Sequence, residues 1–321
     1  MNAMSRTPGD DSSAGFDPVV EDRAIGALLG LALGDALGTA LEFRPPGTFE
    51  PIDDLVGGGP FGLEAGKWTD DTSMALCLAD SLIGQGGFDA EDQIRRYVGW
   101  WRNGDNSATG TCFDIGNTVA GALRRFERTG EPFAGSTDPN SAGNGSLMRL
   151  APVALAAWPD PEKTLRWAGD SSRTTHGAAT CISACQYFAA LLHGALDGVG
   201  KQRLVGEIHE PQPGIWQRFS LAPEIREIAE GSFRRKNPPE IQGSGYVVKS
   251  LEAALWAFHH TDDFRSGALA AVNLGDDADT TGAIYGQIAG AYYGYSGLPD
   301  DWLAKLHWRQ EIAERARRLI A

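Results

Sequence analysis

The sequence predicts an all-α fold: one multi-helix domain over residues 21–321, preceded by a disordered tail over residues 1–20. Three observations carry this. Alternating β-branched runs bounded by turns are scarce, which argues against strands. Apolar residues recur at spacings of three and four in Gln93–Trp101, Val119–Arg128, Ala178–Leu196, Lys249–His259 and Asp301–Leu319, the period of an amphipathic helix. And two segments carry a glycine every fourth residue: Gly26, Gly30, Gly34 and Gly38, then Gly282, Gly286, Gly290 and Gly294.

The tail is rich in Ser, Gly, Asp and Pro with no apolar segment, so it does not read as a secretory signal. The first glycine-striped segment follows. On a helix, residues i and i+4 share a face, so each stripe forms a groove. Glycine inside a helix costs about 1 kcal/mol relative to alanine, and close backbone packing is a compensating reason. Both helices are expected to be central and tightly packed. Gly57-Gly58-Gly59-Pro60 reads as a loop, and residues 205–245 as a loop-rich stretch. Within Ala178–Leu196, Cys181, Cys185, Phe188 and Leu192 fall on one stripe, so both cysteines read as core. They lack His or Cys partners at zinc spacing. Gly177–Leu196 and Thr280–Pro299 carry no full charge, but their Thr, Ser, Gln, Gly and Tyr content suits buried helices of a soluble domain better than membrane spans.

Asp plus Glu number 42 against 28 Lys plus Arg, a net charge of −14. That balance argues against a nucleic-acid groove or an anionic membrane as partner. Four cysteines are too few for a disulfide scaffold and read as reduced thiols of a cytoplasmic protein.

The chemistry sits in two acidic clusters. Trp68-Thr69-Asp70-Asp71-Thr72 precedes the helical pattern Met74–Leu82, with Thr69 placed as an N-cap. Gly275-Asp276-Asp277-Ala278-Asp279-Thr280 opens the second glycine-striped helix. Either cluster alone could simply favour a helix dipole. Together, if they converge, Asp70, Asp71, Asp277 and Asp279 bring four negative charges and no Lys or Arg. Two divalent cations cancel that charge, and all-oxygen donors suit Mg²⁺ or Mn²⁺.

The string Gly30-Leu-Ala-Leu-Gly-Asp-Ala-Leu-Gly38 with Glu42, then Trp68-Thr-Asp-Asp-Thr-Ser-Met74, resembles the ADP-ribosylglycohydrolase family. So do Gly143-Asn-Gly-Ser-Leu-Met-Arg149, Thr174-Thr-His-Gly177, Gly243-Ser-Gly-Tyr246 and Gly275-Asp-Asp-Ala-Asp-Thr280. The six motifs run in the family's order from about residue 22 to 295. The resemblance implies a single all-α domain with two metal ions in a cleft, held by Thr69, Asp70, Asp71, Asp277, Asp279 and Thr280. It implies hydrolysis of ADP-ribose from a modified acceptor such as a protein side chain. Asp276 departs from the family, which commonly has glycine there, and is not assigned as a ligand.

Thr111-Cys-Phe-Asp-Ile-Gly-Asn-Thr118 is similar to the segment of the dinitrogenase-reductase-activating glycohydrolases, which act on ADP-ribosyl-arginine. There the Asp is a catalytic residue on the acceptor side, matching Asp114. A carboxylate suits a guanidinium because the two pair bidentately. Read without the family, Asp114 would cap a helix over Ile115–Phe126. Glu42 is the second candidate catalytic carboxylate, where a negative charge at a helix C-terminus is disfavoured unless it has a role. The resemblance further gives substrate contacts to Gly116, Gly143, Asn144, Gly145, Ser146, His176, Gly243, Ser244, Gly245 and Tyr246; Arg149 is either an added charge or structural.

The expected function is therefore metal-dependent release of ADP-ribose from arginine of an ADP-ribosylated protein. Other readings compete. One is release from serine, nucleic acid or a small metabolite. Another is an immunity protein that binds and neutralises an ADP-ribosylating toxin.

Overall fold

A computed structural model describes residues 17–321, and among them no named strand occurs. The expected tail lies outside the described residues for 1–16, and helix begins at Pro18, ahead of the expected boundary at 21. Fifteen α-helices follow in order: α1 (Pro18–Gly38), α2 (Asp70–Gln85), α3 (Ala90–Asn103), α4 (Asn117–Thr129), α5 (Ala151–Ala157), α6 (Pro161–Arg173), α7 (Ala179–Leu196), α8 (Lys201–Val205), α9 (Ile215–Arg218), α10 (Pro223–Ala229), α11 (Val247–His260), α12 (Phe264–Val272), α13 (Ala278–Tyr293), α14 (Asp300–Lys305) and α15 (Arg309–Ile320).

The two glycine-striped helices, α1 and α13, form the centre and run antiparallel against each other. A Cβ placed on Gly26, Gly30 or Gly34 would overlap the carbonyl oxygen of Gly290, Gly286 or Gly282, and the reverse substitutions would overlap Gly26, Gly30 and Gly34. The two grooves face each other, which is more than shared burial. Gly294 is outside this ladder, ending α13 with a left-handed φ of 75°. Nearly every residue of α1 from Ala24 onward is buried. Asp35 is the only charge there, and its position decides much of the site.

Capping follows the sequence in several places. Asp89, Asp160 and Asp263 each accept a hydrogen bond from the backbone N–H three residues on, at 2.9, 2.9 and 2.8 Å, starting α3, α6 and α12. Cys181, Cys185, Phe188 and Leu192 are all buried in α7 as the stripe predicts. α1 and α7 are long and apolar enough to cross a membrane, but both are largely buried inside the protein.

Two expectations are corrected. The helix expected over Asp301–Leu319 is two helices, broken at Leu306–Trp308, where Trp308 has φ 49° and its ring packs on Trp68 and His307. Tertiary packing of the indole overrides helix propensity there. The stretch 205–245 is loop-rich as expected, with the short helices α9 and α10 inside it. Asp114 does not cap α4: the helix starts later, at Asn117 with Gly116 before it, and Asp114 itself has φ 59°.

Candidate functional site

The two acidic clusters meet because their helices start side by side. α2 opens with Asp70 and Asp71, and α13 opens just after Asp277 and carries Asp279 in its first turn. A third contribution comes from the far end of α1, where a short 3-10 turn (Thr39–Leu41) delivers Glu42. A fourth is the left-handed turn at Asp114. Together with Gly116, Gly143, Asn144, Gly145, His176, Gly245 and Thr280, the residues Glu42, Asp70, Asp114, Asp277 and Asp279 line one cavity of about 450 Å³. Oxygens of Glu42, Asp114 and Asp279 approach within 4.8 Å of one another.

Thr69 occupies the N-cap position of α2 but its hydroxyl caps nothing. It lies 2.9 Å from Asp35 Oδ1, 3.2 Å from Asp279 Oδ2 and 3.3 Å from Asp71 Oδ2, one proton among three carboxylates. The backbone donors of that turn go to Asp35 instead. Its Oδ1 accepts from Thr69 N–H at 2.9 Å; its Oδ2 accepts from Thr72 N–H at 2.9 Å and from the Thr72 hydroxyl at 2.7 Å. Asp35 thus ties the first acidic cluster to the central helix. Sequence reasoning did not single it out, although a lone acid in an otherwise uncharged apolar helix is a legible signal, since a fully buried carboxylate needs partners.

Burial pushes Glu42 up to about 9 and Asp114 to about 7, and repulsion from neighbouring carboxylates adds to both. Asp70, Asp71 and Asp279 are raised well above the ordinary carboxylate range by the same causes, and Asp277 and Asp35 are raised by burial. None of these seven makes an ion pair with Lys, Arg or His among the described residues. Two of their oxygens, Asp71 Oδ1 and Glu42 Oε2, are buried without a hydrogen-bond partner. Such an arrangement is electrostatically unfavourable until protons or cations enter it. Asp276 sits at the cavity wall, exposed, with φ 59°.

The loop Gly143–Ser146 forms a second wall. Asn144 donates from Nδ2 to Asp277 Oδ2 at 2.7 Å, and its backbone N–H donates to the Gly245 carbonyl at 3.1 Å. The glycine loop is thereby joined to both the acidic cluster and the Gly243–Tyr246 segment. Behind it, Arg149 is fully buried; it donates to the Gly145 carbonyl at 2.7 Å and to the Thr175 hydroxyl at 2.7 Å. Arg149 therefore supports the loop from inside. Thr175 Oγ1 is 2.8 Å from His176 Nδ1. With the Arg149 guanidinium as donor to Thr175, the hydroxyl proton goes to Nδ1, leaving the His176 proton on Nε2, the atom nearer Gly143 and Gly145. Burial, with Arg149 nearby, lowers His176 to about 3. It is a neutral donor at physiological pH.

Not every expected contact faces the cavity. Ser146 turns inward, accepting from the Ser172 hydroxyl at 2.9 Å and the Cys185 thiol at 3.4 Å. Tyr246 is 41% exposed and stands beside the cavity wall. Gly243 packs against α13, where a Cβ would lie 2.9 Å from the Thr281 hydroxyl. Ser244 contributes its carbonyl to Asn144 Nδ2 at 3.3 Å. Asp71 and Thr69 lie beneath the cavity floor, not on it.

Comparison with known proteins fits this geometry. The ADP-ribosylglycohydrolase family model matches residues 17–321. An ADP-ribosylarginine hydrolase Tri1 of Pseudomonas putida is 46% identical over 299 residues, 93% of this chain and 78% of that protein. The Tri1 protein of Serratia proteamaculans is 42% identical, covering 93% and 79%. The ADP-ribosyl-[dinitrogen reductase] glycohydrolase of Rhodospirillum rubrum is 33% identical, covering 95% and 97%. A solved structure described as an ADP-ribosylglycohydrolase-related protein complex superimposes with a TM-score of 0.82 at 46% identity, covering 94% of this chain and 98% of that one. Fold, motif order and relatives agree that this chain belongs to the ADP-ribosylglycohydrolase family.

Proposed function

We propose that this protein hydrolyses the N-glycosidic bond between ADP-ribose and an arginine side chain of a modified protein, with two divalent cations, Mg²⁺ or Mn²⁺, as cofactors. One observation carries the reading: the left-handed turn at Asp114 points a carboxylate into the same cavity as Glu42 and Asp279. An acceptor that is planar and cationic matches a carboxylate there, whereas a serine hydroxyl offers nothing to pair with. Relatives at 46% and 42% identity are named as ADP-ribosylarginine hydrolases, which supports the same acceptor. A cytoplasmic location belongs to this proposal and is supported by four unpaired cysteines.

The donors fit the proposed cations. They are all oxygens, they carry several negative charges with no cationic side chain against them, and one of them, Asp71 Oδ1, is buried without a partner. Thr69, Asp70, Asp71, Asp277, Asp279 and Thr280 would hold the ions. Bound there, the ions would grip ribose hydroxyls and polarise a water molecule. The remaining work falls to the chain. Asn144 fixes Asp277 through its amide. The N–H of His176 and the backbone N–H of Gly145 would offer donors to phosphate or ribose oxygens, the Gly143 and Asn144 N–H groups being bonded to the Ser141 and Gly245 carbonyls. Glu42 and Asp114 sit close enough to share a proton, and Asp114, with the lower of the two pKa values, is the one we assign to the guanidinium.

Two expected results follow. In Asp114→Asn, kcat/KM for ADP-ribosyl-arginine falls by about 10²–10⁴, while calorimetric ADP-ribose affinity changes little. The same measurement on Glu42→Gln assigns the proton: whichever variant keeps its kcat is not the proton carrier. Asp35→Asn removes one charge-assisted acceptor for the Thr69–Thr72 turn without touching the cavity. Metal affinity is expected to drop about 10- to 100-fold, as for other groups that orient ligands. Metal titration followed by melting temperature reads it out, and an unchanged affinity would rule Asp35 out as a positioning residue.

The decisive experiment is ADP-ribose release from arginine-modified and serine-modified proteins in parallel, with Mg²⁺, Mn²⁺ or EDTA and Asp70→Ala as control. Metal-dependent release from arginine alone supports the proposal. Release from serine overturns the acceptor assignment, and ADP-ribose binding without any release would favour a binding role such as toxin immunity.

A further inference from the structure

Three phenylalanines line up beside the two candidate catalytic carboxylates. Phe43 directly follows Glu42 and Phe113 directly precedes Asp114. Phe61 bridges them. Its ring centroid is 6.4 Å from Phe43 in an edge-on arrangement and 5.1 Å from Phe113. Phe43 lines the cavity and is 61% exposed, while Phe61 and Phe113 are half-buried and lie outside its lining. Three aromatic rings from three separate loops, gathered beside an acidic cavity, stand apart from the hydrophobic core.

The loops hold these rings in place at some conformational expense. Phe43 has φ 59°, a region bulky side chains avoid. Two backbone hydrogen bonds enforce it: Phe43 N–H to the Asp276 carbonyl at 2.7 Å, and Asp276 N–H to the Arg44 carbonyl at 2.8 Å. The Phe61 loop is closed by reciprocal bonds between Gly58 and Leu63, at 2.7 and 3.0 Å. It also packs so closely on the end of α1 that a Cβ on Gly59 would overlap the Thr39 carbonyl oxygen. The Phe113 ring is carried by the turn that aims Asp114. The rings and both carboxylates are therefore presented together.

We infer that Phe43, Phe61 and Phe113 form an aromatic shelf that receives the guanidinium and aliphatic stem of the modified arginine, and so set acceptor specificity alongside Asp114. This rests on the arginine reading above. Phe43 lines the same cavity as Asp114 and Glu42, and Phe61 continues that aromatic surface to Phe113, so a cation at Asp114 has aromatic faces and carboxylates within reach. A delocalised, weakly hydrated cation stacks on aromatic faces, and the neighbouring acids reinforce the attraction. A serine-linked substrate has no cation and too short a stem to use the shelf. The ADP-ribose end is expected at the other wall, where Asn144 and Gly245 join Asp277.

The test uses a short ADP-ribosyl-arginine peptide and the full-length protein with Mg²⁺. In Phe61→Ala/Phe113→Ala, KM is expected to rise about tenfold, with the change in kcat much smaller and the calorimetric Kd for free ADP-ribose unaltered. Phe61→Tyr should stay within about twofold of the natural protein, because the aromatic face is kept, while Phe61→Leu should resemble alanine. Unchanged KM in the double variant, an equal loss of ADP-ribose affinity, or full rescue by leucine would each overturn the shelf while leaving the arginine reading standing. A natural protein that releases nothing from the peptide overturns both. Melting temperatures of all variants, with ADP-ribose binding as a second check, separate these outcomes from misfolding.

Discussion

Gly286→Ala is expected to destabilise the protein by about 2 kcal/mol or more, although alanine is the better helix former. The propensity term favours alanine by about 1 kcal/mol. Against it stands overpacking, which costs about 1–3 kcal/mol where neighbours can shift. Here the obstacle is the backbone of Gly30, inside contact distance of the new methyl group, with Leu31 N only 3.0 Å away. A backbone in a buried helix cannot rotate aside as a side chain can, so α1 and α13 must separate along the whole ladder. Gly121→Ala supplies the opposite sign. Gly121 lies inside α4 with nothing within 4 Å of the position of a Cβ, so this substitution should stabilise by up to about 1 kcal/mol. Chemical denaturation of both variants checks the pair. Stabilisation by Gly286→Ala would show that the two helices are not held in backbone contact.

Chelation should lower the thermal midpoint, and the gap between metal-loaded and chelated protein should widen as pH rises from about 5 to about 9. The sign follows from the cavity. In the metal-free protein the carboxylates are raised above their unfolded values of about 4, Asp114 to about 7 and Glu42 to about 9. A group raised on folding contributes stability that is fully present below its unfolded pKa and is lost as pH climbs through its folded pKa. The metal-free protein therefore loses stability over that window. Cations replace protons as the countercharge, so the loaded protein escapes the loss, and at a thousandfold excess over Kd they add about 4 kcal/mol. Asp71→Asn should raise the stability of the chelated protein at pH 8 by removing a carboxyl that burial and neighbouring carboxylates hold raised on folding, and diminish the metal-induced gain. Melting curves with and without EDTA at several pH values would decide it; a gap independent of pH would refute the electrostatic account.

Much of this was legible in the sequence where the governing rule is local. Helical period puts every fourth residue on one face, so two glycine stripes announced two closely packed helices. Acids following a glycine at helix starts announced two carboxylate clusters, and their excess charge announced a need for countercharge. The starts of α3, α6 and α12 obey an equally local rule, an Asp accepting from the backbone N–H three residues on.

The remainder depended on which surfaces meet, and no local rule decides that. That Gly30 faces Gly286, that Asp35 supplies the acceptors for the turn before α2, and that Ser146 turns to Ser172 rather than the cavity are all contacts between distant segments. Asp114 reads locally as a helix cap. The fold instead gives it a left-handed backbone and hands the cap position to Gly116. Periodicity acts within a turn or two of chain, so the glycine-striped helices, the longer apolar-faced helices and the acids at their starts could be read from residue order. Which acids share a cavity, and which way each points, followed from the assembled fold, because burial and charge repulsion act between residues brought together from across the whole chain.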